Sequence, residues 1–174
     1  MDKETCFSIG SVMANFHEAT SSTTINRISY DREKLLELPY HHLKPFFSEK
    51  LPEMEFIKEI RGFFQESDFQ NTRNGIVHMD IWYDNMAVTA ENDITLFDFD
   101  FCGNGAQILD VGYFCKQLFH IETDKHEYEL KVNRFLEGYQ TVRPLSSSEL
   151  KSIPKAGLAV FIFYLGVQAQ RFDW

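Results

Sequence analysis

Four polar side chains at fixed offsets constrain this chain more than any other feature: His78, Asp80 and Asn85 in HMDIWYDN, then Asp98 in LFDFDF. A strand, a turn and a strand lie between the last two. Met86 to Thr89 and Ile94 to Phe97 are short apolar runs, and Ala90-Glu91-Asn92-Asp93 carries turn chemistry. The pattern predicts a β-hairpin with a four-residue loop in which Thr89 faces Ile94. That register sets Asn85 directly across from Asp98 on one face, with Cβ atoms roughly 4.5–5.5 Å apart. A carboxamide oxygen and a carboxylate so placed suit one hard cation. Mg²⁺ favours sparse oxygen sites of this kind and fills its remaining positions with water and phosphate. Asp80, five residues before Asn85, falls at the start of the connecting loop, free to approach a reacting group beside that cation.

The order H-x-D-x-x-x-x-N followed by D-F is that of the catalytic loop and metal aspartate of the kinase fold, so the cluster reads as a phosphoryl-transfer centre. In such chemistry the protein mainly positions groups and neutralises charge. Asp80 is expected to accept a hydrogen bond from the acceptor hydroxyl, while Asn85 and Asp98 hold Mg²⁺ against the phosphates of ATP. Asp98 stands among phenylalanines, where an uncompensated buried charge is costly, so a cation or several donors are expected to satisfy it. His78, late in a buried strand, reads as a hydrogen-bonded brace. Asp110 opens a helix, where a capping carboxylate is ordinary. Asp100 shares a face with Asp98 if the segment is extended. His41-His42 lacks partners at zinc spacing and reads as loop material.

A chain of 174 residues is expected to be one domain with a real core. Its net charge of −9 argues against nucleic acid as a partner and is compatible with a cationic small molecule. Cys6, Cys102 and Cys115 show no metal-ligand spacing and fit reduced thiols. The opening MDKETCFSIG has no basic leader, which together with the thiols points to a cytoplasmic protein. The run Ala156 to Val167 falls short of the roughly 18–20 residues that span a bilayer, so a buried helix is expected and no membrane partner.

Helical spacing of Ile9, Val12, Met13 and Phe16 predicts a helix from Thr5 to about Ala19. Residues 27–50 read as a loop with one short helix. Met54, Ile57, Ile60 and Phe64 predict a helix opening near Pro52 and running to about Ser67 or Asp68. Gly75 to His78 reads as a short buried strand. Gly103-Asn104-Gly105 is expected to turn sharply, with helices from Leu109 to Ile121 and Tyr128 to Tyr139. Ser146 to Ser148 offers caps for a short helix, and Pro154 is expected to open the final apolar one.

These residues resemble the aminoglycoside phosphotransferase and choline-kinase-like family. SIGSVMANFHEAT resembles the first helix of that family's C-terminal lobe, GIVHMDIWYDN its catalytic loop, and LFDFDFCGNGAQILDVGYF its metal segment and following helix. The resemblance implies an α+β, mainly helical fold: the C-terminal lobe of a kinase-like fold with a small β-hairpin insert. It makes Asp80 the catalytic aspartate, Asn85 and Asp98 the Mg²⁺ ligands, and His78 and Asp110 braces of the loop. Two positions depart from the family pattern. Met79 stands where Gly is usual, and Tyr83-Asp84 where Pro-Gly is frequent. No Gly-rich phosphate loop or strand Lys precedes the first helix, so residues 1–174 are expected to be a fragment or truncated product without the N-terminal nucleotide-binding lobe, with a naturally short protein as the alternative.

No proline occurs between Asp98 and Pro144, so the A-P-E closure of a peptide-binding activation segment is missing and a small-molecule acceptor is favoured. Aminoglycoside, choline-like amine and homoserine all fit. Glu122, Asp124, Glu127 and Glu129 offer charge to a cationic acceptor, although such a run is usually a solvated helix face. The expected function is an ATP-dependent phosphotransferase acting on a small-molecule hydroxyl, the isolated lobe being inactive. A non-catalytic scaffold of kinase-like fold is the alternative, and a metal-dependent hydrolase a weaker third.

Overall fold

The computed structural model describes residues 1–65 and 68–171. Helix α1 (Lys3–Ala19) is capped by Asp2, whose side chain accepts the Thr5 N–H at 2.8 Å, and buries Cys6, Ile9, Met13 and His17 along one stripe. A wide turn over Glu33–Glu37 leads into α2 (Leu38–Leu43), so the short helix expected within residues 27–50 is present. Helix α3 (Pro52–Phe63) opens on its proline and buries Met54, Ile57 and Ile60. It ends before the expected boundary, because Phe64 is extended and the Arg32 guanidinium takes the carbonyls of Arg61 (2.7 Å) and Phe64 (2.6 Å). Part of the expected extension, Glu66 and Ser67, lies outside the described residues.

Strand β1 (Asn74–Val77) precedes the site. The hairpin is formed by β2 (Met86–Val88) and β3 (Ile94–Leu96), and β4 (Gly103–Ala106) follows. These strands form two antiparallel pairs, β1 with β4 and β2 with β3. The hairpin register differs from the expected one. Met86 faces Leu96 and Val88 faces Ile94. The loop holds three residues rather than four: Asn92 adopts φ 65°, its N–H bonds the Thr89 carbonyl at 3.1 Å, and the Thr89 N–H bonds the Asp93 carbonyl at 3.0 Å. This is a type I turn closed by a left-handed residue, a conformation Asn tolerates better than most side chains.

The Gly103-Asn104-Gly105 segment does not turn. It pairs with β1, Gly105 opposite Gly75, and no glycine has a positive φ. Its glycines serve close approach instead, since a Cβ on Gly103 would sit 2.5 Å from the Ile28 carbonyl oxygen. The chain through Ile28 and Tyr30 bonds to Asn104 from the far side.

Helices α4 (Ile108–Ile121) and α5 (Lys125–Val142) match the expected spans with longer ends. The last helix, α6 (Ser147–Arg171), is one element of 25 residues with Pro154 inside it, not a short helix followed by another. Proline there deletes only the bond to the carbonyl of Leu150, a residue 40% exposed, while the apolar stretch beyond it packs. By length and composition α6 is sufficient to cross a membrane, yet Ala156, Ala159, Val160 and Ile162 are buried against this protein's own helices. Two helix pairs approach closely through a glycine on each helix. Gly10 and Gly138 join α1 to α5, and Gly112 and Gly157 join α4 to α6. The buried side chains of these helices merge into one core that also takes in Val77, Met86 and Ala106 of the strands.

Candidate active site

Residues 78–85 link β1 to the hairpin, and their shape is held from beneath by a buried carboxylate. Asp110, in the first turn of α4 and fully buried, does not cap its own helix. It accepts the backbone N–H groups of His78 (2.8 Å) and Met79 (2.7 Å) and stands 3.0 Å from His17 Nε2. A carboxylate only accepts, so His17 donates. Three donors offset the cost of burying this charge. Tyr139 hydroxyl lies 2.8 Å from the other His17 nitrogen and completes the chain to α5. His78 is also fully buried. Its Nδ1 accepts the Asp80 N–H at 3.3 Å, which leaves the proton on Nε2 for the Phe97 carbonyl at 3.2 Å.

Asp80 projects from this frame. Its Oδ2 accepts Asn85 Nδ2 at 2.7 Å, the same nitrogen bonding the Asp80 carbonyl at 3.0 Å. Its Oδ1 accepts the Tyr113 hydroxyl at 2.7 Å. Asp80 and Asn85 are therefore in direct contact. Asp98 arrives differently from the expectation. With the hairpin register shifted by one residue, Asn85 lies opposite Phe97, whose N–H bonds the Asn85 carbonyl at 3.1 Å, and Asp98 falls one position beyond. It has φ 60° and is exposed, so the expected cost of burial among phenylalanines does not arise. The segment is also not extended. Asp100 N–H turns back to Asp98 Oδ1 at 3.3 Å, which removes the period-two argument for Asp100 as a ligand. Arg27 pins this bend from outside through the carbonyls of Phe99 (2.7 Å) and Asp100 (2.6 Å).

The chemistry of these two side chains suits Mg²⁺. Asn85 spends its nitrogen on Asp80, which leaves its amide oxygen for a cation, and Asp98 is an exposed carboxylate with one long hydrogen bond. Among the described residues no group of three or more His, Cys, Asp or Glu gathers as a metal site. One carboxylate and one amide are what Mg²⁺ needs when phosphate and water complete its shell. The cysteines offer no nucleophile: burial pushes the Cys6 thiol up to about 11 and that of Cys115 up to about 12.

The acidic run after α4 is occupied in starting the next helix. Glu122 pairs with Lys131, and Asp124 caps α5 through the N–H groups of His126 (2.8 Å) and Glu127 (3.0 Å). A cavity of about 1070 Å³ lies away from the loop, at the Asn74 end of β1. Its Arg32 and Asn104 side chains are already bonded within the protein, and it carries none of the cluster's chemistry. His17, Tyr113, Gln117 and Arg27 were not singled out in the sequence. Two signals were available: His17 interrupts the apolar stripe of α1, and Tyr113 follows Asp110 by three residues on one helix face.

Residues 3–145 match the phosphotransferase enzyme family, APH. The chain belongs to that family. An uncharacterized protein of Deinococcus radiodurans is 25% identical over 167 residues, 93% of this chain and 48% of its own length. A homoserine kinase of Agrobacterium fabrum is 33% identical over 102 residues, 58% of this chain and 30% of the kinase. The chain thus spans about a third to a half of these curated relatives. The crystal structure of an aminoglycoside phosphotransferase from Alicyclobacillus acidocaldarius aligns with a TM-score of 0.58 at 16% identity, covering 95% of this chain and 63% of that one. That likeness shows the mainly helical, kinase-like fold with its small strand pairs. As a phosphotransferase family member, the chain carries the HMDIWYDN loop within the matched region.

Proposed function

We propose that residues 1–174 act as the helical, C-terminal-type lobe of an ATP- and Mg²⁺-dependent phosphotransferase that moves the γ-phosphate to the hydroxyl of a small molecule. The observation that carries this reading is the Asp80 carboxylate, gripped by Asn85 at 2.7 Å on a loop whose backbone Asp110 holds at 2.8 and 2.7 Å. Asp80 accepts a hydrogen bond from the acceptor hydroxyl and turns its oxygen toward the phosphorus. The hydroxyl proton passes to Asp80 late, because bond making lags in a loose transition state. Asn85 and Asp98 would hold Mg²⁺, which when bound neutralises charge on the phosphates. The homoserine kinases among the relatives support an amino-alcohol acceptor. Three free buried thiols support a cytoplasmic setting.

The test is an acceptor screen on the full-length gene product, scored by ADP formation, with amino alcohols, choline-like amines and aminoglycosides. Asp80→Asn is expected to lower transfer by about 10²–10⁴-fold while circular dichroism and melting stay as in the wild type. Full activity in that variant overturns the role of Asp80. ATP hydrolysis with no acceptor dependence would favour a hydrolase.

A further inference from the structure

The side chain of an aspartate ends in a broad torsion, so one hydrogen bond on one oxygen leaves the carboxylate free to rock. Asp80 has two, on different oxygens. Asn85 holds Oδ2, and the Tyr113 phenol, reaching up from α4, holds Oδ1 at 2.7 Å. The direction of the phenol bond is forced. Tyr113 oxygen also receives Gln117 Nε2 at 3.0 Å, and an amide nitrogen only donates. Gln117 does not reverse, because its Oε1 accepts the Lys116 ammonium at 3.2 Å. The single phenol proton therefore points at Asp80.

The phenol has little room to move. Tyr113 is buried and its ring stacks on Tyr164 with centroids 5.5 Å apart, and the Tyr164 hydroxyl donates to the Met79 carbonyl at 3.2 Å. Burial, and then the bond to Asp80, pushes the Tyr113 hydroxyl well above the usual phenol range, so it keeps its proton.

We propose that Tyr113 is a positioning residue for phosphoryl transfer: the one-way chain from Lys116 through Gln117 to Tyr113 fixes the rotation of the Asp80 carboxylate so that its remaining lone pairs meet the acceptor hydroxyl. This rests on the reading of Asp80 given under Proposed function. Tyr113→Phe keeps the ring, the stacking and the burial and removes only the O–H. In the full-length gene product kcat is expected to fall about ten- to a hundredfold, as for a small misplacement of a reacting group, with nucleotide KM unchanged and the melting temperature lowered by a few degrees at most, the ordinary cost of one lost hydrogen bond. Gln117→Glu gives the phenol a second acceptor and is expected to lower kcat in the same direction.

A Tyr113→Phe enzyme with unchanged or raised kcat overturns the proposal while leaving the parent reading in place. A fall in kcat that disappears on cooling well below the variant's melting temperature also overturns it, since the loss is then one of folding. A wild type that transfers phosphate to no acceptor overturns the parent reading and the positioning role with it. The contact has a readout besides activity: with fluorotyrosine at position 113, the ¹⁹F resonance is expected to move in Asp80→Asn, and a stationary resonance overturns the proposal.

Discussion

Met79 has φ 68° and a side chain that is fully buried, two properties that pull in opposite directions. The left-handed backbone explains why the family resemblance expects Gly here: Asp110 draws the His78 and Met79 N–H groups onto one carboxylate, and the chain must turn sharply to present both. Relief of strain in Met79→Gly is worth about 1 kcal/mol, whereas deleting a buried methionine costs about 2–5 kcal/mol. Burial wins. The variant is expected to lose about 1–4 kcal/mol in urea unfolding, the remainder of those opposed effects. At this scale the contact of Asp80 with Asn85 was legible, because the two stand five residues apart on one loop. The surroundings of Asp98 were not. Adjacent phenylalanines suggested burial, but a positive φ turns the carboxylate out to solvent.

At the scale of elements, helix packing depends on backbones that touch. A Cβ on Gly138 would lie 1.9 Å from the Phe7 carbonyl oxygen, and one on Gly10 would lie 2.0 Å from that of Phe135. Neither obstacle is a flexible side-chain tip, so α1 and α5 would have to separate. Gly138→Ala is expected to destabilise by about 3 kcal/mol, the upper end of ordinary overpacking. Gly62, near the end of α3, has nothing within 4 Å of its Cβ position. Gly62→Ala is expected to add about 0.5 kcal/mol through helix propensity alone. Paired thermal melts check both signs. The stripes of α1, α3, α4 and α5 were legible because a helix repeats within its own few turns. The unity of α6 was not. A proline is a strong local break signal, and packing beyond it overrode that signal.

For the molecule as a whole, Arg73 before β1 and Glu149 in the first turn of α6 clamp two distant parts of the chain. Arg73 Nε meets Oε1 at 2.8 Å and its terminal nitrogen meets Oε2 at 3.0 Å. Ser146 and Glu149 also form a reciprocal cap, with N–H to carboxylate at 2.9 Å and N–H to hydroxyl at 3.2 Å. Burial pushes the Glu149 carboxyl upward, but Arg73 and the Ser146 N–H outweigh it and hold it below its ordinary 4.5. A lowered folded value means that the stabilisation is present above 4.5 and is lost as pH falls through the folded value. Glu149→Gln is expected to cost about 1–3 kcal/mol near neutral pH. The gap to wild type should close as pH falls below 4.5, which urea titrations across pH would show.

The sequence by itself determined most of the helical segments, that a hairpin separates Asn85 from Asp98, and that Asp80 and Asn85 share one loop, since each depends on residues close along the chain. Tertiary structure alone decided the hairpin register, where Asn92 turns left-handed and its side chain accepts the Thr5 hydroxyl at 2.9 Å from 87 positions away. It also made a strand of Gly103–Ala106 and brought the Tyr113 phenol to Asp80. Strand pairing, register and helix rotation are set by partners remote in sequence, and no local propensity encodes where those partners will stand.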